Sequence, residues 1–169
     1  MTAETYCKQA LQRVSRTFAL NIALLRGKLH AGILCAYLFC RIADTVEDTP
    51  QLSLEDRRAM LDRYRRMFEE NDFTPERIDA WTCDFRQLAV DCDVPAGELD
   101  LIENMDRVFE HFLSLPETYR DAASACIIEM SRGMLETHER KERQKSRFYC
   151  SKTIDDLNKY CYYVAGTVG

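Results

Sequence analysis

Glycine, proline, histidine and the signs of β-structure are all scarce in this chain. Its 169 residues include 6 glycines, 4 prolines and 3 histidines. Strict hydrophobic alternation and Asn-Gly or Asp-Gly turns, which are typical of β-hairpins, are essentially missing. The four prolines fall where helical patterns break or begin. Because the sequence has no repeat and no low-complexity linker, it predicts an all-α fold with residues 1–169 in one domain.

The composition also lacks several features that mark other classes of protein. Lys+Arg number 23 against 28 Asp+Glu, a net charge of −5, whereas nucleic-acid modules normally carry a basic excess. The longest apolar run is far short of the ~20 residues of a membrane span, and the N-terminus has no apolar signal segment. Hydrophobic residues make up 46% of the chain, enough to bury a core. We therefore expect a cytoplasmic protein with no nucleic-acid partner.

Cysteine is the one unusually common reactive residue, with eight in the chain. None forms a Cys-x-x-Cys pair, and several lie within apolar helical patterns. The prediction is buried, reduced thiols, and not a disulfide framework or a zinc site. The histidines, His30, His111 and His138, are interpreted as surface or helix-end residues. No Ser-His-Asp or Cys-His arrangement indicates a nucleophilic enzyme.

Helical periodicity divides most of the chain into amphipathic segments. Ser53 followed by Asp56 resembles a capping box ahead of a helix over 54–68. Thr74, Pro75 and Glu76 form a helix start signal. Further helices are predicted over 101–112, 116–137 and 153–169.

The stretch over 29–48 is a helix that is apolar almost all round, which indicates that it is buried. Its polar exceptions, Tyr37, Arg41, Asp44 and Asp48, fall within an arc of roughly 60° at helical spacing. Unpaired buried charges are costly, so this stripe must face partners or a wet cavity. An internal ion pair of Arg41 with Asp44 or Asp48 is one interpretation, but it leaves the second aspartate and Glu47 without a role.

The carboxylates at the end of this segment offer another interpretation. Asp44 and Asp48 lie one helical turn apart and can bridge a hard divalent cation through oxygen ligands. Mg²⁺ typically takes one or two carboxylates together with substrate phosphates and waters. The D-x-x-E-D cluster therefore suggests a metal–diphosphate site, and from these residues alone it stands level with the ion pair.

Two other segments favour the diphosphate interpretation. Ser15, Arg16 and Thr17 place two hydroxyls and a guanidinium, all suited to phosphate oxygens, just before an apolar run. Ordinary helix capping by Ser15 is the alternative there. The segment over 160–169 combines phenols with a face of small residues that lets a helix or a flat ligand approach closely.

Taken in order, these motifs carry a family resemblance. The order S-R-T-F-A, then Y-x-x-x-R-x-x-D-T-V-E-D, then Y-C-Y-Y-V-A-G-T-V-G resembles the squalene/phytoene synthase family over about residues 14–169. The resemblance implies the all-α isoprenoid synthase fold, here its N-terminal part. It also implies an enzyme, a prenyltransferase that joins two prenyl diphosphates head to head.

The same resemblance implies a role for each matching residue. Asp44, Glu47 and Asp48 would bind Mg²⁺ and a substrate diphosphate. Tyr160 and Arg41 would be catalytic. The remaining matches would bind substrate, either its diphosphate or its prenyl chain: Ser15, Arg16, Thr17, Phe18, Tyr37, Arg41, Val164, Ala165 and Gly166.

The substrate and product are expectations of the resemblance too. Two farnesyl diphosphates giving presqualene diphosphate and a squalene-type product are favoured by D-T-V-E-D. Phytoene from geranylgeranyl diphosphate is the alternative, and a non-catalytic relative acting as an assembly factor is another. NADPH would be needed only by a true squalene synthase. Peripheral contact with a membrane for product release is a further expectation, and the oligomeric state is left open.

The chain departs from the family in one respect. The family carries a second aspartate-rich motif, of D-x-x-x-D type, downstream of the V-A-G segment, and no second buried cluster of this kind occurs here. We therefore expect the 169 residues to be an N-terminal portion of the domain that is inactive alone.

Overall fold

The computed structural model describes residues 1–15, 17–144, 153–164 and 166. Within those ranges the chain forms nine helices and no strand, which confirms the all-α prediction. The helices are α1 (Ala3–Val14), α2 (Thr17–Ala23), α3 (Gly27–Asp48), α4 (Leu54–Glu69), α5 (Pro75–Leu88), α6 (Ala96–Glu103), α7 (Met105–Leu113), α8 (Glu117–Gln144) and α9 (Ile154–Val164).

The predicted helix starts at α4 and α5 are confirmed. Ser53 Oγ accepts a hydrogen bond of 3.0 Å from the Asp56 amide and donates one of 2.6 Å to the Asp56 carboxylate. These bonds satisfy a backbone donor that has no partner inside the first turn of a helix. Pro75 is the first residue of α5, where its missing N–H costs nothing, although Thr74 makes no side-chain cap bond.

Helix α3 is the central element of the bundle, packed against α1, α2, α4, α6, α7 and α8. Its apolar residues Leu34, Leu38 and Ile42 are fully buried. Phe39 contacts aromatic rings of α4 and α7, with a centroid separation of 4.7 Å to Phe109. A buried ring of this size contributes about 2–3 kcal/mol through removal of its apolar surface from water. The burial of α3 therefore fixes the position of the polar side chains that this helix carries.

Polar tips inside this core are satisfied by backbone carbonyls. The Tyr64 hydroxyl donates to the Phe39 carbonyl oxygen at 3.1 Å, and the Trp81 indole donates to that of Met60 at 3.0 Å. A buried hydroxyl or indole without a partner would cost about 1–3 kcal/mol. These bonds therefore tie α4 to α3 and α5 to α4 in one register.

The prediction of a single helix over 101–112 is wrong, because the structure has two helices there, α6 and α7. Asn104 separates them with φ −120° and ψ 27°, and its side-chain amide donates to the Asp100 carbonyl oxygen at 2.9 Å. Asparagine side chains compete with the helix for backbone groups in this way. Leu101 and Met105 are buried on either side of the break, so the apolar period continues across it.

Helix α8 extends beyond the predicted end at 137 and packs along both α3 and α4. Helix α9 contacts α8, where Tyr163 lies against Gly133. A methyl group at Gly133 would lie 2.1 Å from Tyr163 Cγ, far inside van der Waals contact. The close approach of α8 and α9 therefore depends on this glycine.

The prediction for cysteine is partly wrong, whereas the prediction for histidine is confirmed at His111. None of the seven described cysteines is in a disulfide, and Cys7, Cys35 and Cys40 are buried, but Cys83 and Cys161 are exposed. His111 lies in the last turn of α7, one of the two predicted settings, and is only 9% exposed. Its packing between helices lowers the pKa of the imidazole because burial disfavours the charged form. The side chain of His138 lies outside what the structure describes.

One described helix, α3, is long and apolar enough to cross a membrane by length and composition alone. The core helix of a soluble protein passes the same test, and more than half of this segment is buried among the other helices.

Candidate active site

A cavity of about 710 Å³ lies between α2, α3 and α8, and the polar stripe of α3 opens into it. Tyr37, Arg41 and Asp44 line the cavity together. Glu47 is half-buried and Asp48 is exposed one turn beyond Asp44, and neither belongs to the lining. Three of the four residues of the predicted stripe therefore line the cavity, and Asp48 does not.

The rest of the cavity wall is predominantly apolar and comes from three helices. Phe18 of α2 packs on Tyr37 with ring centroids 5.4 Å apart. The other apolar lining residues are Ile22, Leu29, Ile33, Ala36, Ala122, Ala123 and Met130. Apolar clefts of this size with a few convergent polar groups are typical of ligand sites.

Arg41 forms its closest ion pair with Glu98 of α6, a residue that the sequence reasoning missed. The Thr45 hydroxyl supports this pair, lying 3.2 Å from Glu98 Oε2 and 2.8 Å from the Arg41 carbonyl oxygen. Glu98 is only 12% exposed. Its position in the first turn of a helix, where acids are common, hides the long-range role.

The ion pair that the sequence suggested within α3 is present only in a weaker form. Arg41 Nη1 lies 3.8 Å from Asp44 Oδ2, near the limit for such a contact. The short ion pair of Arg41 is therefore with Glu98, and the charge of Asp44 is only partly neutralised. Arg41 Nε is buried and has no hydrogen-bond partner.

The electrostatic environment of Asp44 is unfavourable for its charged form. Burial raises the pKa of this carboxyl to about 6, and the nearby Asp48, Glu47 and Glu98 carboxylates act in the same direction against Arg41. For Arg41 itself, burial alone would lower the pKa, but Glu98 and Asp44 outweigh it and the pKa is raised. Arg41 thus remains charged, while Asp44 lies where an added cation would be favourable.

Asp44 and Asp48 could bind Mg²⁺ only if further ligands, such as diphosphate oxygens, complete its coordination. Asp44 and Asp48 offer hard oxygen donors one turn apart on a rigid, buried helix. In the described part of the chain, no three His, Cys, Asp or Glu side chains gather closely enough to hold a metal. Mg²⁺ commonly takes one or two carboxylates with phosphates and waters, so the donor set suits an ion shared with a diphosphate.

The predicted S-R-T-F segment is only partly described. Ser15 Oγ accepts a hydrogen bond of 3.2 Å from the Phe18 amide, so Ser15 caps the start of α2 as the alternative interpretation held. Phe18 reaches the cavity wall and Thr17 is exposed. Arg16 lies outside the described residues.

The structure does not place Tyr160, the described aromatic candidate of the C-terminal segment, at the cavity. Tyr160 is 38% exposed on α9 and is absent from the cavity lining. Gly166 is exposed. Ala165 and the side chain of Val164 lie outside what the structure describes, and the roles of all four stay predictions.

A comparison with family models decides the family. The model described as squalene/phytoene synthase matches residues 11–169. The chain belongs to the squalene/phytoene synthase family. This confirms the resemblance drawn from the three motifs, and the all-α bundle is accordingly the isoprenoid synthase fold.

Individual squalene/phytoene synthase relatives agree with this assignment. The chain is 33% identical to a squalene synthase of Schizosaccharomyces pombe over 96% of its own length and 32% of the relative's. It is 30% identical to squalene synthase 10 of Panax ginseng, over 97% of its own length and 34% of the relative's. The chain therefore spans about a third of the length of these curated relatives.

Solved structures show the same fold. A complex of TcSQS with the ligand E5700 superimposes with a TM-score of 0.74 at 24% identity, covering 98% of this chain and 42% of that one. A second complex, with BPH1237, gives a TM-score of 0.73.

Proposed function

We propose that this chain supplies a diphosphate site and one apolar wall for the head-to-head condensation of two prenyl diphosphates. The observation that carries the proposal is the cavity in which Arg41 and Asp44 meet a predominantly apolar wall. A prenyl diphosphate has the same division, with a polyanionic head and a hydrocarbon tail. Farnesyl diphosphate is the proposed substrate, giving presqualene diphosphate and a squalene-type product, because the relatives named above are squalene synthases.

The residues present would each have a part in such a reaction. Ionisation of an allylic diphosphate produces a carbocation and a polyanionic leaving group. Arg41, oriented by Glu98, would donate hydrogen bonds to the leaving diphosphate. Phe18, Ile33 and Met130 would form one apolar wall along the prenyl chain, and further walls would be needed to exclude water from the cation.

Magnesium would supply charge stabilisation of the leaving group when bound. Asp44 and Asp48 would hold the ion, with Glu47 beside them. Because Asp44 lies on a buried helix, the ion that it would hold could contact the diphosphate head group only from the α3 side of the cavity. NADPH, as reductant of a squalene product, and contact with a membrane for product release are parts of the proposal that depend on the product.

Binding of farnesyl thiodiphosphate, an analogue that ionises slowly, tests the site directly. By calorimetry, we expect the parent protein to bind the analogue in the presence of Mg²⁺. The affinity should fall at least tenfold when EDTA replaces Mg²⁺, and at least tenfold in Asp44→Asn. Asp121→Asn, which changes an exposed carboxylate on α8, is the matched control and should bind normally. Equal affinity for all three proteins, with or without Mg²⁺, would remove the metal–diphosphate assignment.

Product analysis tests the reaction. The product of the complete gene is incubated separately with farnesyl and geranylgeranyl diphosphate, and the hydrocarbons are analysed by mass spectrometry. We expect presqualene diphosphate or a squalene-type product from the first substrate, and loss of turnover in Asp44→Asn and Asp48→Asn. Phytoene from the second substrate would favour the alternative, and no product from either would favour a non-catalytic relative.

A further inference from the structure

The turn between α2 and α3 projects from the bundle. Phe18 of α2 packs on Tyr37 of α3, and α2 ends at Ala23, four residues before α3 begins. The two helices therefore form a hairpin, and its tip lies at residues 24–28. Gly27 in this hairpin tip has φ 61°, and apart from its chain neighbours no atom would lie within 4 Å of a Cβ added there. The hairpin tip is thus surrounded by open space.

Apolar side chains at and beside the hairpin tip face solvent. Leu20 is 70% exposed and Leu24 is 80% exposed, although Ile22 between them is buried against the bundle. Leu29 and Ile33, at 47% and 42%, continue the exposed apolar surface along α3 to the cavity, which both of them line. An exposed apolar surface of this kind marks an interaction site.

The charge around the hairpin tip has one sign. Residues 5–43 contain six Lys or Arg and no Asp or Glu, whereas the rest of the chain contains 17 Lys or Arg and 28 Asp or Glu. Arg26 and Lys28 are exposed in the hairpin tip, and neither forms an ion pair with a carboxylate of the described residues. A protein with a net charge of −5 therefore presents two unpaired cations beside exposed leucines.

The hairpin tip lies at the opposite end of α3 from the carboxylates. Asp44 follows Lys28 by 16 residues on this helix, which is about 24 Å at the α-helical rise. The cavity lining changes in the same direction, with Arg41 and Asp44 at one end and Leu29 and Ile33 toward the hairpin tip. A prenyl diphosphate with its head group at Asp44 would therefore extend its hydrocarbon toward the hairpin tip.

We propose that the hairpin tip docks on an anionic phospholipid bilayer. Leu20 and Leu24 enter the boundary between head groups and acyl chains, and Arg26 and Lys28 contact the lipid phosphates. Interfacial segments bind membranes through this combination of apolar side chains and cations. The apolar end of the cavity then faces the bilayer, so a hydrocarbon product leaves into lipid and not into water. This release rests on the proposed function, whereas the docking itself does not.

The charge of the hairpin tip favours this occupant over the others. Two copies of the chain that met tip to tip would bring four cations together without a counter-charge. An apolar protein surface would cover Leu20 and Leu24 but would leave Arg26 and Lys28 without partners. An anionic bilayer provides both the apolar region and the negative charge.

Co-sedimentation with vesicles tests the docking. The product of the complete gene is mixed with vesicles of phosphatidylcholine, with and without phosphatidylglycerol, at low and high salt. We expect binding to the anionic vesicles that falls at least tenfold on phosphatidylcholine alone, at high salt, or in Arg26→Gln/Lys28→Gln. Leu20→Ser/Leu24→Ser should weaken binding by a similar factor, because the apolar anchor is lost. Val90→Ser is the matched control, since Val90 is 75% exposed beyond the end of α5, and equal binding by all these proteins would overturn the proposal.

Quenching by brominated phospholipids locates the contact on the protein. The native Trp81 is fully buried, so Leu24→Trp and Val90→Trp each add one accessible indole. We expect lipids brominated on their acyl chains to quench the emission of Leu24→Trp and not that of Val90→Trp or the parent protein. Vesicle binding without this selective quenching would place the membrane contact elsewhere and overturn the proposal.

Melting temperatures and calorimetry separate the docking from the alternatives. A melting temperature lowered by Leu20→Ser/Leu24→Ser, with vesicle binding unchanged, would show that protein covers the leucines and that the proposal is wrong. All the serine and glutamine variants should bind farnesyl thiodiphosphate as the parent does, because none changes a residue of the cavity lining. Docking without any condensation product would remove the proposed function and leave the docking surface in place. Condensation without docking would do the reverse.

Discussion

At the scale of single residues, burial and the neighbouring carboxylates destabilise the charged form of Asp44. Its pKa of about 6 lies above the ordinary 3.8, so the folded protein binds a proton there more tightly than the unfolded chain does. The free energy of unfolding therefore loses a contribution as the pH rises from about 4 through 6. The usual stabilising effect of a carboxylate is reversed at this position.

Asp44→Asn removes this penalty. In EDTA at pH 7.5 we expect the variant to melt at a higher temperature than the parent protein, and at pH 4 we expect the two to melt alike. Asp121→Asn should follow the parent at both pH values. A variant less stable than the parent at pH 7.5 would mean that Asp44 is needed as an ion-pair partner of Arg41. Thermal melts by circular dichroism at the two pH values give the answer.

Arg41 and Glu98 form the second residue-level test. Arg41→Ala leaves Glu98 buried without its cation, and we expect a loss of about 3 kcal/mol in the free energy of unfolding. Adding Glu98→Gln removes the stranded charge and should recover most of that loss. Binding of farnesyl thiodiphosphate should remain weak in the double variant, because the guanidinium is still missing.

Urea unfolding and calorimetry on the parent protein, Arg41→Ala and the double variant separate these effects. Recovery of both stability and binding in the double variant would show that Arg41 serves only the fold. Failure to recover stability would show that Glu98 is not the partner that matters.

At the scale of helices, the sequence predicted most of the elements because their apolar faces repeat with the helical period. It did not predict the break at Asn104, because one residue in a nonhelical conformation leaves Leu101 and Met105 still facing the core. The contact between Arg41 and Glu98 was equally hidden. It joins residues of two helices far apart in sequence, and periodicity carries no information on which helices meet. The α3 part of the site could be predicted because Tyr37, Arg41 and Asp44 interrupt an otherwise apolar pattern on one helix.

The contact between α8 and α9 gives a prediction in which two effects have opposite signs. Replacing glycine by alanine inside a helix normally stabilises it by about 1 kcal/mol. At Gly133 the new methyl would lie 2.1 Å from Tyr163 Cγ, so we expect Gly133→Ala to destabilise the α8–α9 contact by about 1–3 kcal/mol. Tyr163→Ala in addition should relieve the overlap. Hydrogen exchange of the α9 amides measures the effect, and unchanged protection in Gly133→Ala would contradict this packing.

At the scale of the whole molecule, the cavity between α2, α3 and α8 is lined by Asp44 of a single aspartate-rich motif in the described part of the chain. The condensation needs two diphosphates to be held, and no group of three metal-ligating side chains exists in the described ranges. The cavity wall also leaves Phe18, Leu29 and Ile33 more than 40% exposed. A carbocation formed there would meet water.

We therefore expect the 169-residue chain to bind farnesyl thiodiphosphate with Mg²⁺ but to form no condensation product. Incubation with farnesyl diphosphate and Mg²⁺, followed by mass spectrometry, is the measurement, with a no-enzyme sample as the control. Squalene or presqualene diphosphate above that control would show that one motif is sufficient.

The last turn of α3 is rich in carboxylates, and this has a consequence for motion. Its last turn carries Glu47 and Asp48 and no basic residue, although the carbonyl end of a helix already bears partial negative charge. Thr49 donates to the Thr45 carbonyl oxygen at 2.6 Å, and Arg57 donates to that of Thr49 at 2.8 Å. These bonds hold the turn against repulsion.

A divalent ion bound by Asp44 and Asp48 would then add positive charge at this end of the helix. We expect the amides over 45–49 to exchange with solvent more slowly in Mg²⁺ than in EDTA, even before substrate is added. The protein would thus arrive at its substrate with a helix end that tightens as the ion binds.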